Sequence, residues 1–196
     1  MRWRAMKADQ LSFLDKDQVL PEGLDYRAEF LSRQEERELA ERLRALPFRE
    51  FEFHGFHGKR RTVSFGWHYA FDGSGLTEAE PIPDFLAAAR QRAAELARVE
   101  AHALQHALII EYAPGAGIGW HRDRPVFGDV VGISLLAPAR IRLRRRQGEK
   151  WQRASLAAEP RSAYLLTGPA RREWEHSIPP MEQLRYSITF RTLRDK

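Results

Sequence analysis

The apolar and polar positions change rhythm midway along the chain. From His106 onward, short strand-like runs are separated by Gly and Pro, which predicts strands and turns rather than helices. The candidate strands cover 106–112, 117–123, 130–136, 141–145, 152–156, 162–167, 174–177 and 184–193. Many short strands with no helices between them predict a sandwich or barrel. Helical periodicity is confined to the first half. Leu39, Leu43 and Leu46 form a stripe behind Ser32 and Glu35, which have the spacing of a capping box, so a helix is expected over 32–46, ended by Pro47. A second helix over 81–99 opens at Pro81-Ile-Pro-Asp84 and would bury Phe85, Ala89, Ala93, Leu96 and Ala97. Ahead of both, Pro21-Glu-Gly23 marks a turn into a short strand over 24–30. Residues 1–22 read as a leading arm whose Leu11, Phe13, Leu14, Val19 and Leu20 can pack onto the body.

Two stretches break the ordinary in-out pattern. Phe65, Trp67, Tyr69 and Phe71 alternate strictly and would give one strand a wholly aromatic face, just after the basic cluster Lys59-Arg60-Arg61. Such a face either packs into a core or stacks on nucleobases while nearby cations hold phosphate. In Arg140-Ile-Arg-Leu-Arg144-Arg-Arg146 the arginines at 140, 142 and 144 share a face opposite Ile141 and Leu143. That cationic face suits either a phosphate backbone or a solvated outer strand protected against sheet-to-sheet association.

Composition narrows the choices. With 196 residues, 43% hydrophobic and 30% charged, the simplest organisation is a single globular domain over 1–196. There is no cysteine, so disulfides and thiolate metal sites are excluded and any metal must be held by His and carboxylates. No run approaches the ~18 apolar residues of a membrane span, and the N-terminus lacks the apolar run of a signal peptide, so a cytoplasmic location is expected. A net charge of +5 favours polyanionic partners such as DNA or RNA.

Candidate chemistry lies in Tyr112-Ala-Pro-Gly-Ala-Gly-Ile-Gly-Trp-His121-Arg-Asp123. On an extended strand, His-x-Asp puts an imidazole and a carboxylate on one face. A second imidazole, best supplied by His176 in Trp-Glu-His-Ser-Ile-Pro-Pro, would complete a two-His, one-carboxylate triad suited to Fe(II) with positions left open. On the last strand, Arg185, Ser187, Thr189 and Arg191 share one face and Tyr186, Ile188 and Phe190 the other. Two arginines on an inward face call for anionic partners, and a dicarboxylate such as 2-oxoglutarate supplies them. His54, His57, His68, His102 and His106 show no partner pattern.

The series His-x-Asp, a distant His, then Arg-x-x-x-x-x-Arg resembles the AlkB family of Fe(II)- and 2-oxoglutarate-dependent dioxygenases, and the similarity extends over roughly residues 20 to 193. The resemblance implies an α+β, mainly β fold: a double-stranded β-helix jelly roll over 106–194, with supporting helices on one face and a nucleotide-recognition lid over 54–76. It implies an iron site of His121, Asp123 and His176, which is also the catalytic set. Arg185 would hold the distal carboxylate of 2-oxoglutarate, Arg191 would lie near the co-substrate, and Tyr112 and Ser187 would complete its pocket. Trp67, Tyr69, Arg61, Arg140 and Arg142 are the candidate substrate contacts. O2 and 2-oxoglutarate would be consumed to demethylate N-alkylated bases in DNA or RNA, releasing formaldehyde, succinate and CO2. The same chemistry on a protein or small molecule is an alternative, and a non-catalytic nucleic-acid-binding protein a second. Ile110 and Ser187 stand where the family often has Asn, which affects the co-substrate pocket and not the metal ligands.

Overall fold

The computed structural model describes residues 20–53, 56–70 and 75–194. Along the chain these form β1 (Leu24–Arg27), α1 (Arg33–Arg44), β2 (Arg49–Phe53), β3 (Phe56–Phe65), β4 (Trp67–Ala70) and β5 (Gly75–Glu78). A 3-10 turn (Asp84–Leu86) leads into α2 (Ala87–Ala97), and a second (Ala101–Ala103) leads into β6 (Leu104–Tyr112). Then come β7 (Ile118–His121), β8 (Phe127–Leu135), β9 (Ala139–Gln147), β10 (Lys150–Ala158) and β11 (Ala163–Leu166). A short helix α3 (Gly168–Arg172) precedes β12 (Glu175–Ile178) and β13 (Arg185–Leu193).

The strands β6 to β13 pass back and forth between two sheets, except that β9 and β10 form a hairpin within one of them, as in a double-stranded β-helix. The larger sheet has the order β1-β11-β8-β13-β6-β3-β2, and the smaller one β10-β9-β12-β7. Strict two-residue alternation sorts their side chains. One face of the large sheet presents Ile109, Val131, Ile133, Ile188 and Phe190 to Leu39 and Leu43 of α1 and Ala89 and Ala93 of α2. The other face meets the small sheet through Ile110 and Tyr112, which pack with Ile141, Leu143, Leu156, Trp174 and Ile178. A mainly β jelly roll backed by helices on one face is therefore the fold.

Local chemistry explains the helices. Ser32 and Glu35 form the expected capping box, with the Glu35 amide donating to Ser32 Oγ and the Ser32 amide to the Glu35 carboxylate. The second helix departs from the simple stripe. Its first turn is 3-10, which shifts the helical phase, so Leu86 and Ala94 are fully buried while Phe85, Leu96 and Ala97 are partly so.

The aromatic stretch is not one strand. Gly66, at φ 75°, breaks it, because a Cβ there would overlap the Gln105 carbonyl. Phe65 stays on β3 in the core under the helices. Trp67 and Tyr69 move to β4, which pairs with β5 in a separate hairpin, and Phe71 lies outside the described residues. The leading strand also ends early, at Arg27, before Glu29 adopts φ 49°. Of the expected arm, Leu20 alone among its apolar residues is described, and it packs against the core between the two sheets; Leu11, Phe13, Leu14 and Val19 lie outside the described residues, as does His54. No helix among the described residues is long and apolar enough to cross a membrane.

Candidate metal centre

Three side chains that could hold a metal ion converge between the sheets. His121 ends β7 and pairs in register with His176 on β12. The pairing is irregular between Ile178 opposite Ile118 and His176 opposite His121. This bulge puts Ile118 into the core and His121 into the pocket on the same side, although they are an odd number of residues apart. Asp123 lies two residues beyond the end of β7, in a segment without regular secondary structure. The ligand atoms of His121, Asp123 and His176 all lie within 4.8 Å of one another. The two imidazoles are 4.2 Å apart between centroids and tilted by 60°. His121 Nδ1 lies 2.8 Å from the Gly119 carbonyl, an acceptor that fixes the proton on Nδ1 and leaves Nε2 to ligate.

The electrostatics prepare all three to bind a cation. Burial drives both imidazoles below their usual pKa, His176 to about 3 with help from His121 beside it. Both are therefore neutral at pH 7 with a lone pair available. Burial pushes the Asp123 carboxyl up, but Arg191, His176 and His121 together overcome this and hold it well below the usual carboxylate range. Arg191 donates to Asp123 Oδ1 at 3.1 Å and also contacts His106 Nδ1 at 3.3 Å. His106 is buried against Phe127, and desolvation pulls its pKa down to about 2, so it stays neutral.

These shifts set a pH dependence. An imidazole whose folded pKa is depressed takes up a proton on unfolding once the pH falls below its ordinary value, so acid favours the unfolded chain. His106 and His176 should make the metal-free protein lose stability progressively as pH drops from about 6.5 toward about 3. Urea midpoints measured across that range should fall with decreasing pH, and His106→Gln should flatten the slope. A flat midpoint between those limits would contradict the buried-neutral assignment.

Beyond the triad, the inner face of the large sheet carries Arg185, Ser187, Thr189 and Arg191 from β13. Opposite them stand Tyr112 and Ile110 on β6 and Ser134 and Gly132 on β8. Arg185 is fully buried. Its Nε donates to Ser134 Oγ at 2.9 Å, its guanidinium lies 5.1 Å from the Tyr112 ring centroid, and its two terminal nitrogens have no hydrogen-bond partner among the described residues. A buried cation with two unused donors is costly unless an anion meets it, so the pocket fits a carboxylate. Burial also raises the Tyr112 hydroxyl and takes Tyr164 up to about 12, so both phenols remain protonated donors. Gly132 makes room for Tyr164, whose ring lies where a Cβ would stand.

The comparisons fit this geometry. The model of the 2OG-Fe(II) oxygenase superfamily matches residues 23–191. The chain belongs to that superfamily. As in the family, the oxygenase uses Fe(II), 2-oxoglutarate and O2, and its donor set and buried arginine suit them. Its fold is similar to that of OsALKBH1, at a TM-score of 0.64 and 17% identity over 89% of this chain and 99% of that one. It is also similar to a Pseudomonas putida prolyl-4-hydroxylase, at a TM-score of 0.59 and 17% identity over 89% and 94% of the two chains. No curated protein matches the sequence.

The expected substrate contacts are dispersed. Arg61 faces away from the pocket: it pairs with Glu111 at 2.7 Å on the helix side of the large sheet. Its neighbour Arg60 has the opposite phase and acts electrostatically on both Tyr112 and His121. Arg140 and Arg142 project from the outer face of the small sheet, since Ile141 and Leu143 fill the inner one. Tyr69 stays close to the centre, its ring 5.1 Å from the guanidinium of Arg124, the residue after Asp123. Trp67 shares the hairpin.

One positioning residue has no motif at all. Arg171 of α3 is buried and donates to the carbonyls of Gly128, Asp123, Arg124 and Phe127 at 2.8, 3.3, 2.7 and 2.7 Å. It fixes the turn that carries Asp123. Only its burial reveals this, and nothing in Gly168-Pro-Ala-Arg-Arg signals it.

Proposed function

We propose that this oxygenase removes alkyl groups oxidatively from N-alkylated bases in DNA or RNA, as an AlkB-like demethylase. His121, Asp123 and His176 would hold Fe(II), and Arg185, Tyr112 and Ser187 would hold 2-oxoglutarate. Bound there, iron with the keto acid and O2 supplies the oxidising chemistry: 2-oxoglutarate leaves as succinate and CO2, with one oxygen atom delivered to the substrate C–H bond. The hydroxylated N-methyl group then loses formaldehyde by C–N cleavage, and the base regains its proton.

The chain's own groups prepare that outcome. The neutral imidazoles and the carboxylate would supply three donors to the ion, a set that suits Fe(II) with positions left for the co-substrate. Arg191 and Arg171 hold Asp123 and its turn. The hairpin of β4 and β5 would act as the lid, with Tyr69 as the stacking surface for an extruded base. The observation that carries the nucleic-acid reading is this aromatic side chain beside Arg124, directly after the ligand turn, in a basic protein. The similarity in fold to a prolyl-4-hydroxylase favours a second reading, hydroxylation of a protein side chain.

Two measurements separate these. Anaerobic addition of Fe(II) and 2-oxoglutarate should give a visible charge-transfer band, absent in His121→Ala. Mass spectrometry of methylated oligonucleotides incubated with iron, ascorbate and 2-oxoglutarate should then show methyl loss matched by formaldehyde. A band and 2-oxoglutarate turnover without methyl loss, together with oxygen incorporation into peptides, would replace the first reading by the second.

A further inference from the structure

The small sheet carries its second pattern on the side away from the candidate metal pocket. On β9, Arg140, Arg142, Arg144 and Arg146 point outward while Ile141 and Leu143 point into the core. Neighbouring strands add Trp151 and Arg153 from β10, opposite Arg146 and Arg144, and Glu175 and Ser177 from β12, opposite Arg144 and Arg142. Trp120 of β7 completes the face. Five arginines thus meet the single carboxylate of Glu175 among the outward positions named.

Three of the five arginines, Arg142, Arg144 and Arg146, are held in place. The Arg144 guanidinium stacks between Trp120 and Trp151, 4.3 Å from each ring centroid. Arg142 lies 5.2 Å from Trp120, and Arg146 4.9 Å from Trp151. Arg142 Nε donates to Ser177 Oγ at 3.0 Å and Arg144 Nε to the Glu175 carboxylate at 2.6 Å. Head groups fixed by stacking and one hydrogen bond lose little freedom when a ligand arrives.

Protection of a sheet edge does not account for this pattern. The edges of the small sheet are β10 and β7, whereas β9 is paired on both sides and holds four of the five arginines. Nor does ordinary solvation, for which mixed signs serve better than like charges repeated at two-residue intervals of roughly 6.6 Å. That repeat resembles the distance between successive phosphates in an extended strand. Guanidinium forks suit phosphate, and indole and guanidinium planes can stack bases.

We propose that this outer face docks the backbone of single-stranded nucleic acid, at a surface separate from the metal pocket. The choice of nucleic acid over another polyanion rests on the reading of the iron site given above; the charge pattern stands without it. Because β7 and β12 carry His121 and His176 on their inner face, the docked strand would run one sheet thickness from the iron.

The test is anisotropy of fluorescein-labelled oligothymidylate and oligouridylate with the full chain over a salt series. Arg140→Gln/Arg146→Gln/Arg153→Gln should weaken binding at least tenfold, and the slope of log affinity against log salt should fall by about two, at roughly 0.7 per phosphate contact. Lys at the same three positions should restore most of the affinity, and equal melting temperatures would show both variants folded. Oligonucleotide should also quench tryptophan fluorescence, less so in Trp151→Phe. Unchanged affinity and slope in the Gln variant would overturn the proposal, as would preference for phosphatidylserine vesicles or polyglutamate in competition. Wild-type binding through this face without demethylation would sink the proposed function alone. Demethylation by the Gln variant at unchanged oligonucleotide KM would sink this inference alone.

Discussion

Replacing Arg185 by Met should weaken 2-oxoglutarate binding by orders of magnitude while leaving the ligand-free protein at least as stable as before. The guanidinium is fully buried, yet its terminal nitrogens have no partner among the described residues. Such a group stays desolvated without compensation until an anion arrives. A carboxylate docked on it would form two charge-assisted hydrogen bonds, each worth about 1.5–3 kcal/mol. Losing both should weaken co-substrate binding by about two to four orders of magnitude. Met fills comparable space with a flexible apolar chain, so the substitution removes an unpaired charge and adds no large cavity. Ser134 loses one partner but keeps a contact to the Ala158 carbonyl. Calorimetric titration of 2-oxoglutarate into the Mn(II)-loaded protein, with urea unfolding of the metal-free chain, reads both effects. A variant that kept its co-substrate affinity and lost about 2 kcal/mol or more of stability would make Arg185 a structural residue.

How far such residues were legible depends on whether their role is local. The capping box of α1 and the arginine face of β13 follow from short-range spacing, so sequence periodicity reveals them. The eight strands of the jelly roll are legible for a similar reason: each is a short run bounded by Gly, Pro or other turn residues. Spacing fails where a backbone event resets the phase. At Gly66 one apparent aromatic strand becomes two, sending Phe65 to the core and Trp67 to a hairpin. At the β7 bulge the phase also changes, and Asp123 lies beyond the end of that strand. Arg60 and Arg61 show how much one residue matters, since they serve opposite faces of the same sheet. Ser134, Tyr164, His106 and Arg171 were illegible for another reason. Their roles exist only through the register of strands distant in sequence, or through carbonyls collected by a loop. No local pattern encodes those contacts.

Arg191 should behave in the opposite way to Arg185, although both lie on the same face of β13. Its guanidinium is committed within the protein, to Asp123 at 3.1 Å and His106 at 3.3 Å, and both members of the ion pair are nearly buried. Removing one partner of a buried pair leaves the other charge uncompensated, at about 3–5 kcal/mol. Arg191→Met should therefore lower the urea midpoint of the metal-free protein strongly. The pH dependence identifies the cause. In the wild type, Asp123 has a folded pKa below its ordinary value, so its stabilising contribution is present above that value and disappears as acid protonates the carboxylate. In the variant, burial dominates and the carboxyl takes up its proton at higher pH. The difference between the two proteins should be largest near neutrality and should narrow as pH falls through about 4. A divalent ion supplies positive charge to the same carboxylate, so Zn(II) or Mn(II) should recover part of the lost stability at pH 7, and half-saturation with metal should move to higher pH. A loss of less than about 1 kcal/mol, independent of pH, would mean that the pair contributes no more than an exposed salt bridge and that His121, His176 and the turn held by Arg171 position Asp123 without it.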